Sequence, residues 1–345
     1  MFRTSLLIVT LFVLFASCKE QGPAKDNSLQ QYFAIQDSGV QTGGVKLVEI
    51  QTPKGKFHVW TKRIGHNPRI KVLLLHGGPG GTHEAFESFE SFLPQEGIEF
   101  IEYDQLESHY SDQPNDSSLW TTEHFVEEVE QVRQAIGATN DNFYLLGHSW
   151  GGILALEYAL KYQDNLKGLI ISNMMASIPA YEKYNAVLRS KMRKSLVDSL
   201  QAYEAKGQFT DSTYQALVFS EYYKQHLCRL AEWPDPIKRM FKHLSQGIYV
   251  AMQGPSEFKT AGRLLTWDRS KDLSKITVPT LTIGGEYDTM DPAYMKWMST
   301  QVQQGNYVYC PNGSHCDMWD DQEHYFPGLI GFLKAVDDGS FKGTK

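Results

Sequence analysis

Phe143-Tyr144-Leu145-Leu146-Gly147-His148-Ser149-Trp150-Gly151-Gly152 is the stretch that decides the fold. An apolar and aromatic run leads directly into Gly-x-Ser-x-Gly, and a helix-forming stretch from Ile153 to Tyr162 follows. The order is strand, tight elbow, helix. Glycines two residues before and after Ser149 let strand and helix approach closely, and the serine backbone is strained in the turn between them. The hydroxyl then stands above the carboxyl end of a sheet. It also sits at a helix N-terminus, whose positive dipole end favours developing negative charge. The motif alone is common; the strand before it and the helix after it make Ser149 a candidate nucleophile.

An acyl-transfer serine needs two backbone N–H donors aimed at the tetrahedral oxyanion. One should come from the residue after the nucleophile, Trp150. The other should come from a glycine-rich loop after an earlier strand. Lys71–Leu75 is a short buried-strand pattern, and His76-Gly77-Gly78-Pro79-Gly80-Gly81 follows it. Gly78 is the candidate, because glycine lets backbone approach a substrate closely. A tight strand-to-helix turn would equally call for glycine there.

Chain order then predicts an acid and a histidine downstream. Thr280–Ile283 runs into Gly284-Gly285-Glu286-Tyr287-Asp288, and Tyr307–Cys310 into Pro311-Asn312-Gly313-Ser314-His315. Asp288 and His315 therefore lie past the ends of two successive strands. In this reading Ser149 attacks a carbonyl, His315 takes and returns the proton, and Asp288 orients the imidazole. Glu286 and Asp291 are nearby alternatives to Asp288. His148 is poorly placed as the base, since adjacent residues on an elbow point apart.

The rest of the chain fits this frame. Lys46–Gln51 and Lys56–Lys62, joined by Thr52-Pro53-Lys54-Gly55, read as an opening hairpin. Phe100–Tyr103 and Lys167–Ser172 are further buried strands. Thr121–Ile136 carries Phe125, Val129, Val132 and Ile136 on one helical face. Tyr325–Val336 is a closing helix. Alternating strands and helices imply a mostly parallel central sheet flanked by helices. Between about Ser177 and Leu265 the sequence is helical and Lys- and Tyr-rich with no clear buried strand, as an inserted helical cap would be. The expected division is a core from 45–176 and 266–345, with a cap at 177–265. No zinc-ligand motif, dinucleotide fingerprint or phosphate-binding loop is present, so neither metal nor cofactor is expected. The net charge of −7 over 345 residues argues against a nucleic-acid partner.

Residues 1–17 read as a secretory signal: Arg3, then an apolar run from Leu6 to Phe15. The run is too short for a membrane-spanning helix, which needs about twenty residues. It ends Phe15-Ala16-Ser17-Cys18, which resembles a bacterial lipoprotein cleavage box although Phe15 stands where Leu is usual. The resemblance implies lipidation at Cys18, with 18–44 as lipidated N-terminus and tether, and a cell-envelope protein held on the membrane through its N-terminal lipid. Cys228, Cys310 and Cys316 remain. A Cys310–Cys316 bridge is possible but not required.

Taken together, the motifs resemble the proline iminopeptidase family of serine peptidases, within the α/β-hydrolase fold. The resemblance rests on His76-Gly77-Gly78-Pro79-Gly80, Tyr103-Asp104-Gln105, Gly147–Gly152, Gly254-Pro255-Ser256-Glu257-Phe258, Val278-Pro279-Thr280 with Gly285–Asp288, and Gly313-Ser314-His315. Cys228-Arg229 with Trp233-Pro234 is similar to a cap motif of the family and its tricorn-associated relatives. The similarity spans about Val45 to Leu333. It implies release of N-terminal residues, often proline, from small peptides, and a carboxylate at Glu257 that holds the substrate's ammonium. A second family carboxylate directly after the triad acid is Thr289 here, for which Asp291 or Glu232 would have to compensate. Asp104-Gln105 is followed by Glu107 and His109 where the family has glycines. These departures keep open an alternative, an esterase or amidase acting on non-peptide acyl substrates.

Overall fold

The computed structural model describes residues 31–34, 38–257 and 259–343. The expected leader 1–17 and Cys18 lie outside the described residues, as does Phe258. Within the segment read as a tether, Tyr32 is buried and donates its hydroxyl to Ile98 O at 2.8 Å. That segment therefore touches the fold before the first strand begins.

Eight strands form one sheet: β1 (Val45–Thr52), β2 (Gly55–Ile64), β3 (Lys71–Leu75), β4 (Glu99–Asp104), β5 (Phe143–His148), β6 (Gly168–Ser172), β7 (Thr280–Gly285) and β8 (Gly305–Cys310). Their spatial order is β1-β2-β4-β3-β5-β6-β7-β8. β1 and β2 are the antiparallel hairpin, β2 pairs antiparallel with β4, and every later pairing is parallel. Side chains alternate across a strand. Val72 and Leu74 of β3 accordingly pack with Phe86, Phe89 and Phe326 on one face. Leu73 and Leu75 pack with Val129, Ile153 and Leu154 on the other. Both faces are covered by apolar layers, so the strand reads as an unbroken apolar run.

Between β3 and β4 the chain uses 3₁₀ turns over His83–Ser91 rather than the regular helix that alternation predicts. Between β7 and β8 stands a helix, Pro292–Gln301, that apolar periodicity does not mark. Its local signals are capping ones: Asp291 accepts from Ala293 N at 2.9 Å and Pro292 opens the helix. Cys228, Cys310 and Cys316 are free thiols, so the bridge left open by the sequence is not formed.

The segment between β6 and β7 leaves and rejoins the sheet at one neck. Ser177 and Asp268 form a β-bridge, Ile178 N donates to Trp267 O at 2.9 Å, and Arg269 N donates to Ala176 O at 2.7 Å. Inside the neck are helices Ile178–Ser190, Lys194–Ala205, Ser212–Val218, Asp235–His243 and Gln246–Met252. Leu188, Leu196, Leu200, Tyr214, Val218 and Tyr222 make a small apolar core of their own. A forked Arg189–Glu204 pair beside it joins the first two helices.

Candidate active site

Ser149 caps the N-terminus of helix Trp150–Tyr162 with φ 56° and ψ −125°. An L-residue tolerates that backbone only when its surroundings enforce it. Three glycines do so here. A Cβ on Gly147 would lie 2.0 Å from Gly151 O, one on Gly151 2.0 Å from Leu75 O, and one on Gly152 2.6 Å from Met174 Cβ. Side chains at these positions would drive strand and helix apart. The Ser149 N–H is also tied across the sheet to Ser172 O at 3.1 Å.

Gly77, Gly78 and Gly81 line the same cavity as Ser149, which measures about 510 Å³. Gly78 has φ 114°, and a Cβ there would stand 2.5 Å from Gly81 N. Trp150 occupies the first helical position, where a backbone N–H has no acceptor within its own helix. Both oxyanion candidates thus flank the serine. Gln105 braces this region: its Oε1 accepts from Trp150 Nε1 at 2.8 Å, and its Nε2 donates to His76 O at 3.2 Å. The His76 ring completes the brace. Its Nε2 accepts the Gln105 N–H at 3.1 Å and its Nδ1 donates to Gly77 O at 2.8 Å, contacts that fit the neutral ring. Burial holds its pKa below the ordinary value.

His315 Nδ1 lies 2.8 Å from Asp288 Oδ1. Both side chains are buried, and His315 lines the cavity with Ser149. Burial disfavours the imidazolium, yet the charge and hydrogen bond of Asp288 outweigh this and raise the His315 pKa above its ordinary value. The alternative acids are engaged elsewhere. Glu286 accepts from Tyr309 Oη at 2.7 Å, and Asp291 caps the following helix. His148 also reaches the cavity, but burial and then the neighbouring His315 push its pKa well below normal.

Sequence reasoning missed Asn173, whose amide Nδ2 donates to Asp288 Oδ2 at 2.9 Å. The residue follows β6 directly, and strand carboxyl ends are where open α/β sheets place their sites. That positional rule was the available signal.

Glu257, from the segment between β6 and β7, lines the same cavity. It is 9% exposed and accepts from Tyr249 Oη at 2.7 Å through Oε1. Tyr181 donates to its backbone carbonyl at 2.5 Å. Burial, and then the Glu257 charge, raise the pKa values of Tyr181, Tyr223 and Tyr249. Of these tyrosines Tyr249 donates to the carboxylate, Tyr181 donates to the backbone carbonyl, and the Tyr223 hydroxyl accepts from the Glu257 N–H at 3.4 Å. Thr289 is fully buried and donates to Asp288 Oδ1 at 3.3 Å, so this position supports the acid. Glu232 is exposed and does not line the cavity. Neither Glu107 nor His109 lines it either. Their φ values of 73° and 24° keep a left-handed backbone at the two positions where the resembling family has glycine.

Among the described residues, Glu84, His109 and His243 bring three ligand-type atoms within 4.8 Å of one another. Glu84 already accepts from Arg239 at 2.6 Å and contacts His243 at 2.9 Å. The two imidazoles are stacked 4.0 Å apart at 9°. Stacked rings keep their in-plane lone pairs in two separate, nearly parallel planes, so the two do not converge on one ion. The cluster therefore reads as a contact between the cap helix Asp235–His243 and the core.

An elbow serine, a buried His–Asp pair and a glycine-rich loop at the carboxyl edge of a parallel sheet define a serine hydrolase of the α/β-hydrolase class. A family model described as the alpha/beta hydrolase fold matches residues 71–322. The proline iminopeptidase of Flavobacterium johnsoniae is 57% identical over 293 residues, covering 85% of this chain and 99% of that protein. Among solved structures, VinJ superposes with a TM-score of 0.79 at 28% identity, covering 84% of this chain and 98% of its own. The proline iminopeptidase of Mycobacterium smegmatis superposes with a TM-score of 0.77 at 26% identity, covering 86% and 99%. The chain belongs to the proline iminopeptidase family.

Proposed function

We propose that the protein is a serine aminopeptidase that releases N-terminal proline from small peptides. The observation that carries this reading is one cavity shared by Ser149, the Asp288-paired His315 and the buried Glu257. An exopeptidase must anchor the substrate's terminal ammonium, and a charge pair with Glu257 positions the first peptide bond over the serine. Ser149 Oγ attacks that carbonyl while His315 takes its proton, and Asp288 stabilises the imidazolium. The N–H groups of Gly78 and Trp150 receive the oxyanion. His315 then protonates the departing amine, leaving the prolyl group esterified to Ser149. Water, deprotonated by His315, hydrolyses the ester. The esterase alternative is not favoured, since relatives matched over nearly their whole length carry the aminopeptidase name.

The test compares proline arylamide with its N-acetyl form, using wild type and Ser149→Ala. Wild type should cleave only the free-amine substrate and should be labelled by a fluorophosphonate. Ser149→Ala should do neither. Equal turnover of the acetylated substrate would overturn the exopeptidase reading.

The second part of the reading concerns location. Arg3, the apolar run Leu6–Phe15 and the small residues before Cys18 support export and lipid anchoring in a bacterial cell envelope. Membrane fractionation of the full chain beside Cys18→Ala tests it. Equal membrane association of the two would overturn the anchor.

A further inference from the structure

Behind the His315–Asp288 pair lies a buried polar network that the reaction as described does not use. Asn173 is fully buried, follows β6, and has φ 52°. Its Oδ1 accepts from Ser172 Oγ at 2.7 Å, which assigns the amide's orientation. Its Nδ2 faces three acceptors: Asp288 Oδ2 at 2.9 Å, Asp317 Oδ2 at 3.0 Å and Ser314 O at 3.2 Å. One amide thus ties the end of β6 to the loops after β7 and β8, which carry the acid and the histidine.

We propose that Asn173 is a positioning residue for the catalytic pair, locking the Asp288 carboxylate through the oxygen that His315 does not use. The inference rests on the serine-hydrolase reading above. A carboxylate held by its histidine contact and a weak Thr289 contact alone is free to swing about its Cβ–Cγ bond. Holding the second oxygen removes that freedom, so Oδ1 stays on the Nδ1–H of His315 while Nε2 serves the serine.

Asp317 completes the device. It is fully buried, with the Asn173 amide and the Cys310 thiol as side-chain partners. Burial, and the nearby charges of Asp288 and Asp320, hold its pKa well above the ordinary carboxyl range. A raised pKa favours the neutral acid, which takes one amide hydrogen without adding a second anion.

The experiment uses Asn173→Gly, which suits the left-handed backbone, and Asn173→Asp, which keeps the size but removes both donors. Each should lower kcat on proline arylamide by about 10- to 100-fold with KM within twofold. Fluorophosphonate labelling of Ser149 should slow by a similar factor. The far-downfield proton resonance of His315 Nδ1–H should shift or broaden. A kcat within twofold of wild type in both variants, a loss confined to KM, or an unchanged resonance would overturn the inference. A wild type that fails to label would instead overturn the hydrolase reading itself.

Discussion

The Nδ1 of His315 stands 2.8 Å from Asp288 Oδ1, although the two residues are carried by loops after different strands. His315 is only 4% exposed and Asp288 not at all. In such a site water screens the pair less than it would at the surface, so the carboxylate acts more strongly on the imidazole.

That contact sets the pH response. In the proposed mechanism His315 must be neutral to accept the serine proton, and Asp288 raises its pKa above the ordinary 6.5. Activity is therefore present on the alkaline side of that pKa and lost as pH falls through it. The plot of log kcat/KM should show an acid limb of unit slope with its midpoint above 6.5. An acid limb centred below that value would contradict the assignment.

Glu257→Gln removes the charge proposed to hold the substrate ammonium and preserves the acceptor for Tyr249. A hydrogen bond to a charged group contributes about 1.5–3 kcal/mol, so kcat/KM for free-amine substrates should fall roughly 10- to 100-fold. Steady-state kinetics with proline arylamide checks this, with circular dichroism as the folding control. A fall below twofold would remove Glu257 from substrate binding.

Gln105→Leu deprives the Trp150 indole N–H of its acceptor and the His76 carbonyl of its donor. Leaving a buried donor unpaired costs about 1–3 kcal/mol, so thermal unfolding should begin at lower temperature. The loop proposed to receive the oxyanion should loosen with it. The expected kinetic signature is a fall in kcat larger than any rise in KM.

Gly151→Ala tests the elbow. Its Cβ would stand 2.0 Å from Leu75 O and 2.9 Å from His76 O, both backbone atoms of the neighbouring strand and loop. Overpacking of this kind costs about 1–3 kcal/mol or more. A lower unfolding midpoint and loss of fluorophosphonate labelling are expected together.

Asp317→Asn should stabilise the protein at neutral pH. Folding raises the Asp317 pKa well above its unfolded value of about 3.9, so the folded state holds this proton to higher pH than the unfolded chain does. Above that pH the wild type therefore loses stability relative to the amide variant. Unfolding midpoints at pH 4 and pH 8 should differ little and clearly, respectively.

Much of this architecture is legible in the chain. The buried strands, the elbow and the helix after it are legible because apolar runs and glycine spacing mark them within a few residues of sequence. The irregular His83–Ser91 segment and helix Pro292–Gln301 were less legible. Apolar periodicity marks neither, and capping or tertiary contact shapes them instead. Glu107 and His109 illustrate the limit differently. Their replacement of family glycines reads as an altered site border, yet both keep the left-handed backbone and neither lines the cavity.

By itself the sequence determined the α/β alternation, the serine at its elbow, the glycine-rich loop and the order acid then histidine. Only the tertiary structure decided which acid meets His315. Glu286, Asp288 and Asp291 lie within six residues of one another. Spacing cannot choose among them, because the choice depends on how two loops approach above the sheet. Asn173 is the extreme case. Its importance lies in three acceptors from distant parts of the chain, and no local pattern encodes their convergence.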